Sequence, residues 1–477
     1  MSRLGRNTLQ LTLASVGQKA LAFLYFLLLA RTVGAEQTGA YFLALSITTM
    51  FSVLTDVGLQ PVLIREVAKG REDWKSIFSA TLGLKLLFTI ITSGLVVGFV
   101  SVMGYGWDVR SLVYLALAVM ALDAVSLTMY GLLRGVQILR YESLGMFTGQ
   151  FLTLIVGGVV LFTNQSLALL IVALIVGSTF NAVFSLWMVR KRFGPSVIRV
   201  RLPWSLVKPL LRIALPFALA GIFVKVYSYV DTITLSQFFG REEVGIYAVA
   251  YKMTYAFQFL PMAFVAALYP AMSELVGKDR ERLSSMFDDA MRYMLLLATP
   301  IVFGIWSVAE PLILATVGAE FSASVLPLRV LVFVLLFLFL DFPIGSLLNA
   351  ADRQVLKTTL MGLTMVINIV ANLLLVPQFG PLGAALSACI SFGFLLCSGL
   401  FFVPRFVSMR WASLLWYLVR VLFVGTLMAA VVTVASAHLH VAVSIVLGAV
   451  IYVSGLLALR VIGKQEWTRM RSLVFNR

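Results

Sequence analysis

Continuous apolar runs recur along the whole of this 477-residue chain, and many reach the length of about 20 residues that a helix needs to cross a bilayer. Backbone polar groups find no partners in lipid, so a crossing segment must be a helix or a strand of a closed barrel. These runs do not alternate between polar and apolar residues as barrel strands do. Only 12% of the residues are charged, against about 25% in a soluble chain. The sequence therefore predicts an all-α, multi-span membrane protein.

Fourteen such spans account for nearly the whole chain. The longest polar connection between them, residues 190–209, is too short for a soluble domain of useful size. The spans are predicted at residues 9–33, 40–63, 77–104, 111–133, 143–163, 167–189, 211–238, 244–270, 290–314, 324–349, 357–377, 382–404, 413–436 and 440–462.

Lysine and arginine are distributed unequally between the two ends of these spans. If the N-terminus is cytoplasmic, 29 of the 37 basic residues lie in or beside inward loops and tails, as is general for membrane proteins. Both termini are therefore predicted to be cytoplasmic. The net charge of +16 is explained by this topology and by attraction to anionic lipids, without a nucleic-acid partner. The other basic residues are predicted at outward ends (Arg31, Arg110, Arg241 and Arg329) or inside spans (Lys19, Lys85, Lys225 and Lys252).

One short polar turn occurs twice. Residues 34–44 read GAEQTGAYFLA and residues 240–250 read GREEVGIYAVA, so glycine, glutamate, glycine, tyrosine and alanine share one register 206 residues apart. At the same offset Lys19 matches Lys225. Six spans separate the two turns, so both are predicted on the outward side. An even number of spans per repeat predicts parallel halves, related by an axis along the membrane normal, with a cleft between two six-helix lobes.

Longer stretches of the chain are family patterns rather than catalytic signatures. They are LLLARTVGAEQTGAYFLA at 27–44, TDVGLQPVLIREVAKG at 55–70, LPFALAGIFVKVYSYVDTITLSQFFGREEVGIYAVAYK at 215–252, AEPLILATVGAEFSASVLPLRVL at 309–331 and NLLLVPQFGPLGAALS at 372–387. On these stretches the chain resembles the polysaccharide transporters, or oligosaccharide flippases, of the multidrug/oligosaccharidyl-lipid/polysaccharide exporter superfamily.

The resemblance implies a fold and a function. It implies a MATE-like pair of six-helix lobes, 1–190 and 211–404, joined by a cytoplasmic linker, 191–210, and followed by a two-helix extension with a basic tail, 405–477. It also implies a monomeric flippase of the bacterial inner membrane that moves a polyprenyl-pyrophosphate-linked glycan by alternating access. Membrane lipids, a polysaccharide polymerase and glycosyltransferases are the further partners expected. The sequence does not identify the glycan, and flipping of a peptidoglycan precursor by a protein of the same fold is an alternative.

Lys19 and Lys225 are the first candidates for binding this substrate. They are predicted about ten and fourteen residues into spans one and seven, too deep to reach an interface easily. A charged side chain at that depth usually faces a cavity, and the shared offset would place both ammonium groups at one level of the cleft. A pyrophosphate is an anion that such a pair could hold. A buried lysine paired with a nearby aspartate is the alternative.

Four other side chains belong to the substrate-binding candidates or lie beside them. Lys252, about eight residues into span eight, is equally compatible with the cleft and with outward snorkelling. Arg31 could cap the cleft, although an interfacial role is favoured at an outward end. Lys85 is expected to snorkel to the cytoplasmic interface. Tyr229 could stack on a sugar ring, with ordinary packing as the alternative.

Four aspartates are candidates for ion coupling or gating. Asp123, Asp231 and Asp341 lie inside spans four, seven and ten, where each could exchange protons with the two sides or be a static partner of a lysine. Asp56 ends span two and is predicted to be a helix-end or gating contact. The residues do not distinguish proton coupling from sodium coupling or from no coupling.

Other kinds of site are not predicted. His438 and His440 have no cysteine or carboxylate at ligand spacing, so no metal is expected. Cys389 and Cys397 lie in one predicted helix, roughly 12 Å apart, too far for a disulfide. The chain has no P-loop, glycine-rich nucleotide motif or nucleophile elbow, so no cofactor is expected.

Two other functions are weighed against glycan flipping. A cation-coupled multidrug exporter of the same fold would need an acidic or neutral cleft for its cationic substrates, and the lysines within spans disfavour it. A membrane glycosyltransferase, polymerase or ligase usually needs a sizeable catalytic loop outside the membrane, and the outward loops here are too short. The chain is therefore predicted to be a transporter and not an enzyme.

Overall fold

The computed structural model describes residues 3–70, 73–200 and 202–461, and every regular element in them is helical. The all-α membrane fold is thereby confirmed. The α-helices are α1 (Arg3–Phe51), α2 (Val53–Asp56), α3 (Leu59–Ala68), α4 (Trp74–Val102), α5 (Trp107–Gly135), α6 (Arg140–Thr163), α7 (Leu167–Phe193), α8 (Trp204–Phe238), α9 (Arg241–Tyr255), α10 (Phe259–Leu275), α11 (Arg280–Thr316), α12 (Val325–Leu331), α13 (Phe333–Ala350), α14 (Gln354–Phe379), α15 (Pro381–Phe402), α16 (Trp411–Ser436) and α17 (Val441–Ala458).

Twelve helical segments of the described chain are long and apolar enough to cross a membrane. One of them, Leu13–Asp56, contains most of the first two predicted spans, and Gly34 interrupts α1 between them with φ 81° and ψ 177°. Glycine adopts this conformation without the steric cost that a side chain adds. The predicted eighth span falls on α9 and α10, which are separately shorter than a span. When the two parts of Leu13–Asp56 and the pair α9–α10 are taken into account, each of the fourteen predicted spans is occupied by helix.

Packing divides the chain into two compact units, one ending at Ala248 and the other beginning at Val249. The first unit therefore holds α8 and the start of α9 in addition to α1–α7. The six-helix lobes 1–190 and 211–404 stay a prediction. The predicted basic tail lies outside the described residues from position 462 on. Arg71 and Arg201, predicted in inward loops, also lie outside them.

In the second unit the two extension helices pack on α11. Gly425 of α16 lies against Thr299 and Phe303, where an added side-chain carbon would be 3.1 Å from the Phe303 ring. Tyr452 of α17 donates a hydrogen bond to the carbonyl oxygen of Leu296 at 3.0 Å. The predicted two-helix extension is thus an integral part of this unit.

The second predicted span is broken between α2 and α3. Val57 and Gly58 both adopt left-handed backbone conformations there, with φ 43° and 73°. Asp56 accepts a hydrogen bond from the backbone N–H of Gln60 at 3.1 Å, which satisfies a donor at the start of α3. The Asp56 carboxylate also pairs with the ammonium of Lys85 at 2.6 Å. Asp56 is therefore a helix-end contact, one of its two predicted alternatives.

The expectation that Lys85 snorkels to the interface is wrong. Its side chain is 3% exposed, because the break in span two presents the Asp56 carboxylate to it. A buried charge with an ion-pair partner no longer gains from reaching water.

Replacing Asp56 by alanine should destabilise the first unit by about 3 kcal/mol, because the buried Lys85 ammonium is left without its partner. Thermal unfolding of the purified protein in detergent measures the change. The double variant Asp56→Ala/Lys85→Leu should recover most of the loss, since it removes both charges. If the double variant is no more stable than Asp56→Ala, the ion pair does not stabilise this break.

Candidate functional site

The two copies of the repeated turn pack directly against each other in the first unit. A side-chain carbon at Gly39 would overlap the carbonyl oxygen of Arg241, and one at Gly245 would overlap the carbonyl oxygen of Ala35. At the offset of 206, Ala35 matches Arg241 and Gly39 matches Gly245, so each half makes the same contact with the other. Reciprocal contacts of this kind are the mark of a two-fold relation. We call these four residues the repeat crossing.

A cluster of opposite charges joins the repeat crossing to a third helix. Arg241 forms ion pairs with Glu36, at 2.6 Å, and with Asp108 at the start of α5. The three side chains are exposed, so water and salt screen the attraction. This Arg241 cluster ties α1, α5 and α9 together on the side predicted to face outward.

The same offset relates two buried pairs of polar side chains. Tyr247 donates to the Asp231 carboxylate at 2.9 Å, and at the equivalent positions the phenol of Tyr41 lies beside that of Tyr25. Tyr25 in turn donates to the carbonyl oxygen of Leu170 at 3.2 Å. The candidate Asp231 is therefore one partner of a pair that both repeats contain, with a carboxyl group where the first repeat has a phenol.

Lys225 lies on the face of α8 that packs against α2 and α3. On that face, a side-chain carbon at Gly58 would lie 2.9 Å from the backbone nitrogen of Ala218, and Gly221 faces Val53. Lys225 follows Gly221 by four residues, which places it on the same face one turn further along. The Lys225 side chain is therefore directed toward other helices of its unit and not away from them.

An aromatic ring, not a carboxylate, accompanies the Lys225 ammonium. Its nitrogen lies 5.6 Å from the centre of the half-buried Tyr229 ring, within the range of a cation–π interaction. In the described ranges no carboxylate lies within ion-pair distance of Lys225. The structure thus brings together two of the predicted substrate-binding residues, and leaves the charge of Lys225 without an ionic partner in those ranges.

Lys19 is exposed on α1, a helix that packs against α8. The apolar side chains Leu13 and Leu24 are 63% and 46% exposed. At about 100° per residue, they lie roughly 120–140° around the helix from Lys19. Lys19 therefore does not share the helix face that exposes these leucines.

The other predicted substrate-binding residues are placed as follows. Arg31 is exposed on α1, three residues before the Gly34 break, as expected for an outward helix end. Lys252 belongs to the second unit, where its side chain is half-buried on α9.

The two remaining aspartates each lie near a polar or charged side chain of another helix. Asp123 of α5 accepts a hydrogen bond from Ser178 of α7 at 2.8 Å. In the second unit, the ammonium of Lys357 lies over Gly345, where a side-chain carbon would be 2.9 Å from it, and its charge acts on Asp341 one turn earlier on α13. The sequence placed Lys357 in or beside an inward loop and did not predict its position against α13, because nothing local to either helix indicates it.

No group of three or more histidine, cysteine, aspartate or glutamate side chains in the described part of the chain is arranged to hold a metal ion.

The Arg241 cluster was not predicted from the sequence. The signal available was the position of Arg241 inside the repeated turn, between glycines that share one register in both copies.

Comparison with known proteins gives two family matches. Residues 4–276 match the model of a family described as "Polysaccharide biosynthesis protein", which is more than half of the chain. Residues 216–374 match a second family model, MatE.

Two relatives and one solved structure align along most of the chain. The probable low-salt glycan biosynthesis flippase Agl15 of Haloferax volcanii is 24% identical, over 85% of each chain. The capsular polysaccharide biosynthesis protein CapF of Staphylococcus aureus is 23% identical, over 80% of this chain and 95% of its own. The lipid II flippase MurJ in an inward closed conformation superimposes with a TM-score of 0.77 at 14% identity, over 94% of this chain and 98% of that chain. At that identity the likeness to MurJ shows a shared fold alone.

Adding a methyl group at the repeat crossing should force α1 and α9 apart. Gly39→Ala and Gly245→Ala are each expected to destabilise the first unit by roughly 1–3 kcal/mol, read as a lower unfolding temperature of the purified protein. Gly98→Ala is the matched control, since Gly98 is exposed on α4 with nothing within 4 Å, and alanine there favours the helix. If both Gly39→Ala and Gly245→Ala unfold at the same temperature as the wild type, the close approach of α1 and α9 is contradicted.

Proposed function

Because the chain belongs to the polysaccharide biosynthesis protein family, we propose that it is a flippase that moves a lipid-linked oligosaccharide across a membrane. The observation that carries this proposal is the family match over residues 4–276, together with relatives named as a glycan biosynthesis flippase and a capsular polysaccharide biosynthesis protein. The protein is a transporter and not an enzyme.

The substrate contact that we propose is between membrane-embedded ammonium groups and the phosphates that link glycan to lipid. Lys225 supports this role best, because it is half-buried, directed toward other helices and accompanied by the Tyr229 ring. An unpaired ammonium inside a membrane protein is costly, and an anionic substrate would offset that cost during transport. Lys19, Lys252 and Arg31 stay proposed contacts of the same kind.

The outward gate is proposed at the repeat crossing. Alternating access requires one end of the substrate path to be closed while the other is open. The close approach at Gly39 and Gly245, with the Arg241 cluster beside it, can hold the outward ends of α1 and α9 together. Exposed ion pairs are weak, so the closed arrangement can be released. Ion coupling through Asp123, Asp231 or Asp341, and gating by Asp56, stay proposals as well.

The substrate class and location are also proposed. The glycan is carried on a polyprenyl pyrophosphate, and a monomer of the protein lies in a bacterial inner membrane with both termini in the cytoplasm. Glycosyltransferases would supply the substrate, and a polymerase would use the product. The match of residues 216–374 to the MatE family and the fold shared with MurJ keep multidrug export and peptidoglycan-precursor flipping as the alternatives.

Removing the Lys225 charge should reduce glycan export at least tenfold, because a charge-assisted contact contributes about 1.5–3 kcal/mol and each 1.4 kcal/mol is about a factor of ten. The measurement is surface glycan per folded transporter in cells that express Lys225→Ala. Lys191→Ala is the matched control, because Lys191 also lies over an aromatic ring, Trp187, at 5.1 Å, but at the exposed end of α7.

Equal export by Lys225→Ala and Lys191→Ala would remove Lys225 from the substrate site. Unchanged export together with drug sensitivity in cells that lack the protein would instead favour the multidrug exporter.

Replacing Arg241 by glutamine should loosen the outward end of the first unit. The expected result is about two- to fivefold faster labelling by a membrane-impermeant maleimide of a cysteine placed at the buried Thr38, because exposed ion pairs contribute up to about 1 kcal/mol. Arg329→Gln is the control, as a second arginine predicted at an outward end. High salt should speed labelling of the wild type and leave Arg241→Gln unaffected. Identical labelling rates in the two arginine variants would show that the Arg241 cluster does not hold the gate.

A further inference from the structure

Arg420 is the only lysine, arginine, aspartate or glutamate between Trp411 and Leu459. Two membrane helices, α16 and α17, thus share a single charged side chain. Arg420 is nine residues after the start of α16, which corresponds to about 14 Å along the helix axis. A long basic side chain this close to the inward end of a membrane helix can reach the headgroup level, where anionic groups of lipids lie.

The Arg420 guanidinium is stacked on a lipid-facing aromatic side chain. Its central carbon lies 4.7 Å from the centre of the Trp416 ring, and Trp416 is 57% exposed. Tryptophan prefers the level of the lipid headgroups, so the stacked pair marks that level on the surface of α16. Stacking covers one face of the guanidinium and leaves its N–H edges available, because the five donors point outward in the plane of the group.

No protein acceptor in the described ranges uses those donors. Within residues 3–70, 73–200 and 202–461, Arg420 makes no hydrogen bond and no ion pair. Asp288 of α11 lies close enough to Arg292 and Arg410 for their charges to act on it, and in the described part of the chain it forms no ion pair with Arg420.

A second guanidinium lies on the same side of α16. Arg292 of α11 donates a hydrogen bond to Ser413 at 2.9 Å and stacks on the Tyr417 ring at 5.2 Å. Ser413 and Arg420 are seven residues apart, so they share one face of α16, two turns from each other. This face therefore presents two arginines held by adjacent rings.

We propose that Arg420, stacked on Trp416, forms a binding site for the phosphate group of a membrane lipid, on the face of α16 that also contacts Arg292. A guanidinium binds phosphate through two parallel N–H···O bonds, and basic sites beside membrane helices bind anionic headgroups. The phosphate supplies the negative charge that the extension helices lack. Because the ligand is defined by its phosphate, the site does not depend on the proposed transport function.

Lipid binding to the purified full-length protein tests the site. Native mass spectrometry with added phosphatidylglycerol should show about tenfold weaker binding to Arg420→Leu, with Arg420→Lys in between because lysine keeps the charge without the paired donors. Leucine on a lipid-facing helix surface favours folding in the membrane, so Arg420→Leu should remain folded. Phosphatidylcholine, whose phosphate is offset by a choline cation, should bind wild type and variant alike.

Arg140→Ala is the matched control. Arg140 also stacks on an aromatic ring, Tyr141, at 4.6 Å, at the start of a different membrane helix. Its loss should leave phosphatidylglycerol binding unchanged. Equal loss in Arg140→Ala and Arg420→Leu would overturn the site in favour of general attraction by basic residues, and wild-type binding by Arg420→Leu would overturn it outright.

The same binding measurement with added undecaprenyl phosphate identifies which kind of lipid supplies the phosphate. Tighter, Arg420-dependent binding of this lipid than of phosphatidylglycerol would assign the site to a polyprenyl carrier. Arg420-dependent binding of phosphatidylglycerol alone would assign it to the bulk anionic lipid. Both results support a lipid-phosphate site, and binding of either lipid without dependence on Arg420 contradicts it.

Discussion

The approach of α1 to α9 at Gly39 and Gly245 is the contact on which the arrangement of the first unit depends. A side chain at either glycine would overlap a carbonyl oxygen of the other helix, and small residues are what allow helix backbones in membranes to come this close. At that separation Arg241 reaches Glu36 and Asp108. The short turn occurs twice in the chain because each copy provides the surface against which the other packs.

The two copies of the repeat differ at positions that carry charge. In both cases described below, the charged residue lies in the second copy. Arg241 takes the position of Ala35, so the ion cluster at the repeat crossing exists once and not twice. Asp231 takes the position of Tyr25, so one of two matching side-chain pairs contains a carboxyl group. The two copies of the turn thus make the same backbone contact with unlike side chains, so one copy holds a charge that the other lacks.

Among the charged side chains within the membrane spans, an ion pair and a cation beside an aromatic ring leave different charges available. Asp56 and Lys85 neutralise each other, and a buried pair of this kind contributes to the structure while leaving no net charge for a ligand. In the described part of the chain Lys225 and Arg420 are accompanied by aromatic rings instead of carboxylates. A ring moderates the cost of a buried cation and leaves its charge intact. This difference is the reason that the phosphate contacts are proposed at these two residues.

The sequence by itself determined the helical membrane fold, the positions of the spans and the repetition of the turn. Each membrane helix pairs its own backbone groups, so its existence depends on local hydropathy alone, and Gly34 and the repeated turn are visible in the local pattern. The partners of the charged residues were decided by tertiary structure. Asp108 and Arg241 lie 133 residues apart in the chain. The sequence predicted Lys85 at the interface, whereas the break at Gly58 places the Asp56 carboxylate beside it. Such pairings depend on how each helix is rotated and how closely it approaches its neighbours, and those quantities follow from the packing of the whole unit.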